Sequence, residues 1–188
     1  MKKSMFCIFC IWVSLWGTPR TWGGRAGGGV RYDDMRMCVA TDSGVAGGPM
    51  ADIAVTAGYE ISGDKLLRLS VPLMRPLLFG LRFDMVQFEP DITLEYYRNV
   101  DESLKRYFGP GAGVSLHYGP DYSSGTGDDR GDDFWAVGPY FSFVKGVKFI
   151  DSNSSLGLRG AYTPLVPLDS DRSVGTVLSI AIEYGRTF

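Results

Sequence analysis

From Ala51 to the end of the chain, large apolar side chains return at every second position while the residues between them are small or charged. Few folds tolerate such a pattern, because a strand sends successive side chains to opposite faces, so a period of two means a sheet with one greasy face. Residues 51–61 set Ala51, Ile53, Val55, Ala57, Tyr59 and Ile61 against Asp52, Thr56, Gly58 and Glu60. Residues 65–73 set Leu67, Leu69, Val71 and Leu73 against Arg68 and Ser70, and 77–88 set Leu77, Phe79, Leu81, Phe83 and Met85 against Gly80, Arg82 and Asp84. The pattern continues through 91–98, 107–118, 134–149, 155–163 and 174–185, which makes eight segments. A competing count takes Arg31 to Thr41 as the first strand and fuses 77–98 into one, again reaching eight.

The second face of these strands separates the two architectures that such a pattern allows. A soluble sandwich or lipocalin-like barrel turns its apolar faces inward and meets water with Lys, Glu, Asn and Thr. Here the second face is mostly Gly, Ala and Ser, and the 25 glycines among 188 residues are about twice the roughly 7% average. The charges on it are of both signs: Arg68, Arg82 and Arg159 against Asp84, Glu95 and Glu183. A balanced set of this kind suits a narrow lumen filled by side chains, where buried ions must pair. The apolar faces carry aromatics near both ends, Phe108 with Tyr118 and Trp135 with Phe149, as interfacial belts do. The expected fold is all-β, an eight-stranded antiparallel transmembrane β-barrel over residues 51–188.

Residues 1–23 read as a signal peptide: Lys2 and Lys3 precede an apolar run from Met5 to Gly17, closed by Pro19 and Arg20. The run is too short for a spanning helix, which needs roughly 20 apolar residues. Cleavage is expected after Gly23. It would take Cys7 and Cys10 with the leader, leaving Cys38 without an intramolecular disulfide partner. It would also remove Lys2, Lys3 and Arg20, making the remainder more acidic than the −2 of the full chain, which speaks against a nucleic-acid partner. Residues 24–50, Gly-rich and without clean alternation, are expected to form a tail or plug.

The chain closes on Tyr184-Gly185-Arg186-Thr187-Phe188. With the stretch from Tyr107 to Val114, this resembles the small outer-membrane barrels of the opacity, OmpA/OmpX-like and OmpW-like kinds, although Arg186 falls on the face that should be apolar. The resemblance implies a bacterial outer-membrane protein embedded in lipid, with Tyr184 and Phe188 as the signal read by the barrel assembly machinery. It also puts Phe188 on the periplasmic side. Counting back from there makes 119–133 and 164–172 outside loops, and 99–105 and 150–154 inside turns. An OmpW-like role would add passage of a small solute.

Other chemistry is thin. Arg130-Gly131-Asp132 in the longest loop could present a guanidinium and a carboxylate to a host surface ligand, as an adhesin would. Asp121, Asp128, Asp129, Asp132 and Asp133 supply hard oxygens for calcium, but not at the spacing of a defined calcium loop. Ser115 and His117, on one face, would be the nucleophile and base of a lipid-acyl hydrolase. Two residues apart on a strand puts them about 7 Å from each other, too far for a direct hydrogen bond. The chain is therefore expected not to be an enzyme, and to need no cofactor or metal.

Overall fold

In a computed structural model the protein is described over residues 20–35, 47–74, 81, 85–122, 131–169 and 173–188. Its strands are β1 (Thr21–Asp33), β2 (Gly47–Ser62), β3 (Lys65–Pro72), β4 (Val86–Phe88), β5 (Asp91–Asn99), β6 (Leu104–Asp121), β7 (Gly131–Phe149), β8 (Ser154–Pro167) and β9 (Gly175–Thr187). Each pairs antiparallel with its neighbours. The order β5-β3-β2-β1-β9-β8-β7-β6 closes on itself because β6 also pairs with β5, so eight strands form a barrel without free edges.

The short strand β4 lies on the same side of β6 as β5. Its pairing runs from Phe88 opposite Leu116 to Asp91 opposite Gly113 without a slip in register, so β4 and β5 act as one strand interrupted at Glu89-Pro90. Proline has no N–H for the ladder, which accounts for the break. This supports the fused reading of the segment ending at 98. Of the separate strand expected over 77–88, only Val86–Phe88 is strand, and 77–80 and 82–84, with Arg82 and Asp84, lie outside the described residues.

The eighth stave comes instead from the stretch read as a tail or plug. Thr21–Asp33 pairs along its whole length with β2 on one side and β9 on the other, and β2 itself begins at Gly47. Its odd residues, Arg25, Arg31 and Asp33 among them, face inward, while Trp22, Val30 and Tyr32 face outward. Glycines on both parities hid this alternation in the sequence. At Gly29 the strand comes so close to β9 that a Cβ would run into the Ile180 carbonyl oxygen. The expected cleavage after Gly23 would fall within β1, where Gly23 is paired with Thr56 and with Thr187. Residues 1–19 lie outside the described part.

The turns at 63–64, 100–103 and 150–153 gather at one end of the barrel together with Arg20 and Phe188. At the last of them Asn153 takes a left-handed conformation (φ 50°) and donates its N–H to the Ile150 carbonyl at 3.2 Å, a role that Asn fills readily. At the opposite, loop end of the barrel β1 finishes at Asp33, β2 begins at Gly47, β3 finishes at Pro72, β6 finishes at Asp121, β7 begins at Gly131, β8 finishes at Pro167 and β9 begins at Gly175.

The sides of the wall follow the sequence pattern. Val114 and Ile182 are each 61% exposed on the outside, whereas Glu95 is 2% and His117 0% exposed on the inside. A water-soluble barrel has the opposite arrangement.

Candidate functional site: the lumen

The interior is a stack of ion pairs built from strands that are distant in sequence. Nearest the turn end, Arg68 on β3 forks onto Glu95 on β5, with Nε donating to Oε1 at 2.6 Å and Nη2 to Oε2 at 2.9 Å. Tyr97 completes the group by donating its hydroxyl to Glu95 Oε2 at 2.5 Å. Planar guanidinium and carboxylate match each other in this two-bond form, the strongest ion-pair geometry available to side chains.

The middle layer is centred on Arg159 of β8. Its Nε donates to Glu183 Oε1 on β9 at 2.7 Å, and its Nη1 reaches across the lumen to Asp91 Oδ2 on β5 at 3.0 Å and to Ser142 Oγ on β7 at 2.9 Å. Thr93 steadies Asp91 by donating to the same Oδ2 at 2.8 Å. Arg25 on β1 pairs with Glu183 at 3.2 Å and with Asp52 on β2 at 3.4 Å. Gly111 makes room for this layer, since a Cβ there would press on Ser142 Oγ and Thr93 Oγ1.

Above it, Glu89 enters the lumen at the break between β4 and β5. Its Oε1 accepts from Ser115 Oγ at 3.0 Å and lies 3.2 Å from His117 Nε2, and its Oε2 accepts from Gln87 at 2.8 Å. Arg31, from the opposite wall, puts Nη2 3.2 Å from His117 Nδ1 and 3.3 Å from Asp33. Toward the loop end of the interior, Phe134, Ala136, Leu165 and Val177 form an apolar cluster with Met35 packed against it.

Among the described residues, two small spaces lie in the interior. One of about 40 Å³ lies among Asp52, Glu89 and Tyr140, and one of about 30 Å³ among Thr56, Glu95 and Tyr107. Arg25, Arg159 and Glu183 line both and so stand between them. Each has room for only a few water molecules, at roughly 10–15 Å³ apiece on this measure.

The lumen charges expected from sequence fare unevenly. Arg68 with Glu95 and Arg159 with Glu183 come together. Arg25, Arg31, Asp33, Glu89 and Asp91 were missed; the shared odd parity of Arg25, Arg31 and Asp33 was the signal that could have found three of them. Ser115 and His117 both face the buried lumen, and the hydroxyl's bond goes to Glu89, not to the ring. No metal-ligating cluster occurs among the described residues.

In the loop tripeptide, Gly131 and the exposed Asp132 open β7 at the barrel's loop end, and Arg130 lies outside the described residues. Tyr184 faces outward on β9, and the Phe188 N–H donates to the Trp22 carbonyl at 2.7 Å, tying the carboxy-terminus to β1.

No family model and no curated protein matches the chain. Among solved structures it is similar to Neisserial surface protein A, with a TM-score of 0.50 at 14% identity, covering 89% of this chain and 97% of that one. The N-terminal β-barrel domain of Pseudomonas aeruginosa OprF also matches, with a TM-score of 0.36 at 12% identity over 89% of this chain and 99% of that one. The first likeness shows the shared fold, a small eight-stranded barrel.

Proposed function

We propose that the protein is an integral barrel of a bacterial outer membrane whose lumen is a closed, ion-paired plug, and that its partners are met by the segments at the loop end. The observation that carries this reading is the pair of contacts that cross the interior, Arg31 to His117 and Arg159 to Asp91. They fill the bore where a solute would travel, while the outward apolar wall calls for lipid. An eight-stranded barrel has room for side chains or one small ligand, not for a wide aqueous channel.

The test has two parts. Protein from isolated outer membranes should run differently on gels before and after boiling, and absence from that fraction would remove the membrane assignment. Purified barrel in planar bilayers should give no discrete conductance; steps altered by charge reversal at Glu95 would establish a narrow channel instead.

A second reading, an adhesin, is favoured by the exposure of Asp132 at the rim. It predicts binding to host cells that falls when Asp132→Glu lengthens the acidic arm, and binding indifferent to that change would end it.

A further inference from the structure

At the turn end, the outward surface carries four cations that no ion pair engages among the described residues. Lys65 on β3, Arg98 on β5, Arg106 on β6 and Lys145 on β7 are all exposed and sit on the outward parity of their strands. Among the described residues none of them forms an ion pair. In the two adjoining turns Asp64, next to Lys65, accepts from Ser62 Oγ at 2.6 Å, and Asp101 accepts from Ser103 Oγ at 2.8 Å. Glu102 is exposed in the second turn.

The four cations form one patch. Lys65 is registered opposite Tyr96, Tyr96 opposite Phe108, and Phe108 opposite Lys145. The Lys65 ammonium lies 5.9 Å from the centre of the Tyr96 ring, and the Tyr96 and Phe108 rings stack with centres 5.5 Å apart at 21°. The row across four strands therefore reads cation, ring, ring, cation. Just beyond it Arg98 stands directly opposite Arg106. Like charges at facing positions oppose the pairing of their own strands. The strain is relieved when an anion bridges them, and guanidinium N–H groups are suited to donating in pairs to phosphate oxygens.

We propose that this patch is a binding site for the phosphate headgroup of an anionic phospholipid in the leaflet surrounding the turn end, the periplasmic leaflet if the barrel stands as its carboxy-terminus suggests. The inference rests on the membrane-barrel reading and adds a specific lipid to it. Arg98 and Arg106 grip the phosphate, Lys65 and Lys145 extend along the wall to flank it, and the stacked rings seat the glycerol and upper acyl region. Long cationic side chains and aromatic rings at a lipid interface divide the work in this way. Elsewhere at this end Arg20 is bonded to Glu60, Arg186 stands alone on the outward face of β9, and Lys105 and Lys148 face each other on the inward parity of β6 and β7, with Lys148 5.8 Å from the centre of the Tyr97 ring.

The experiment refolds the full chain into bilayers of phosphatidylcholine and phosphatidylglycerol in equal parts, then counts retained lipids by native mass spectrometry after gentle detergent release. The wild type should keep phosphatidylglycerol over phosphatidylcholine by roughly tenfold. Arg98→Gln with Arg106→Gln should abolish that preference, whereas Arg186→Gln should keep it. An undiminished preference for phosphatidylglycerol in the double variant, or an equal loss of it in Arg186→Gln, overturns the site, as does retention of inorganic phosphate alone or a preference for lipid A when either is supplied in competition. A chain that shows no gel shift in this bilayer sinks the barrel reading itself. A folded barrel with no lipid preference sinks only the site.

Discussion

Arg31 on β1 and His117 on β6 stand on opposite walls of the ring, and their side chains meet at 3.2 Å in its centre. A guanidinium can only donate, so Nδ1 of His117 must accept, which leaves the ring's proton on Nε2, aimed at Glu89. The tautomer is then set by the ring's two neighbours. Nitrogen chemical shifts of labelled protein should show a protonated Nε2 and a bare Nδ1. A proton on Nδ1 would mean that Arg31 does not cross the lumen.

Removing Arg159 should be the most damaging single change in the interior. Arg159→Ala leaves Asp91 and Glu183 buried without their main partner, and breaking a buried pair from one side costs about 3–5 kcal/mol. Urea unfolding of vesicle-reconstituted protein, followed by tryptophan fluorescence, should show that loss. Replacing the group together, Arg159→Met with Glu183→Gln and Asp91→Asn, should recover much of it, since no charge is stranded. A harmless Arg159→Ala would show that the lumen is wet enough to solvate the acids.

Two neighbouring glycines on β1 should respond in opposite ways. A Cβ on Gly29 collides with the Ile180 carbonyl on β9, whereas on Gly28, facing outward, its nearest neighbour is the Met50 carbonyl oxygen at 3.8 Å, an ordinary contact. Gly29→Ala should therefore impair closure of the β1–β9 seam and reduce the heat-modifiable fraction, while Gly28→Ala folds as the wild type does. Equal folding of the two would mean that the seam is not where β1 and β9 meet.

The leader, if removed, should be cut ahead of Thr21, because the pairing of β1 begins there. Mass determination of the processed protein from outer membranes gives the boundary directly. A mature chain starting at Gly24 would lose Thr21 to Gly23 from the seam and contradict the first strand as described.

In the β5–β6 turn, the Ser103 hydroxyl and N–H both donate to Asp101, each at 2.8 Å, and hold its carboxyl below the ordinary 3.8. A depressed carboxylate stabilises the fold above the unfolded value and stops doing so as pH falls through the folded one. The stability gap between wild type and Asp101→Asn, measured by urea titration across acid pH, should accordingly narrow below about pH 4. A gap that widens on acidification would reverse the assignment.

Much of the wall was legible in the chain alone. The outward sets Val114 to Tyr118, Phe141 with Phe143, and Leu178 to Tyr184 lie on the side that their alternation assigns, because a residue's face depends only on its immediate neighbours along an extended strand. Arg68–Glu95 and Arg159–Glu183 were within reach for a similar reason: each joins adjacent strands near in sequence. The Gly-rich amino-terminal stretch was not, since a glycine contributes no side chain to an alternation, and its membership in the sheet is expressed only through backbone pairing with β2 and β9.

The sequence by itself thus determined the strand period, the greasy exterior and the small, charge-bearing interior, all of them local properties of an extended chain. Only the tertiary structure decided that Thr21–Asp33 is the stave that closes the ring, and which charges meet inside it. Those meetings depend on curvature and closure, which bring Arg31 within reach of a histidine 86 residues away and Arg159 within reach of an aspartate 68 away. No period along the chain encodes such a pair, because it exists only once a sheet has turned back and joined its own first strand.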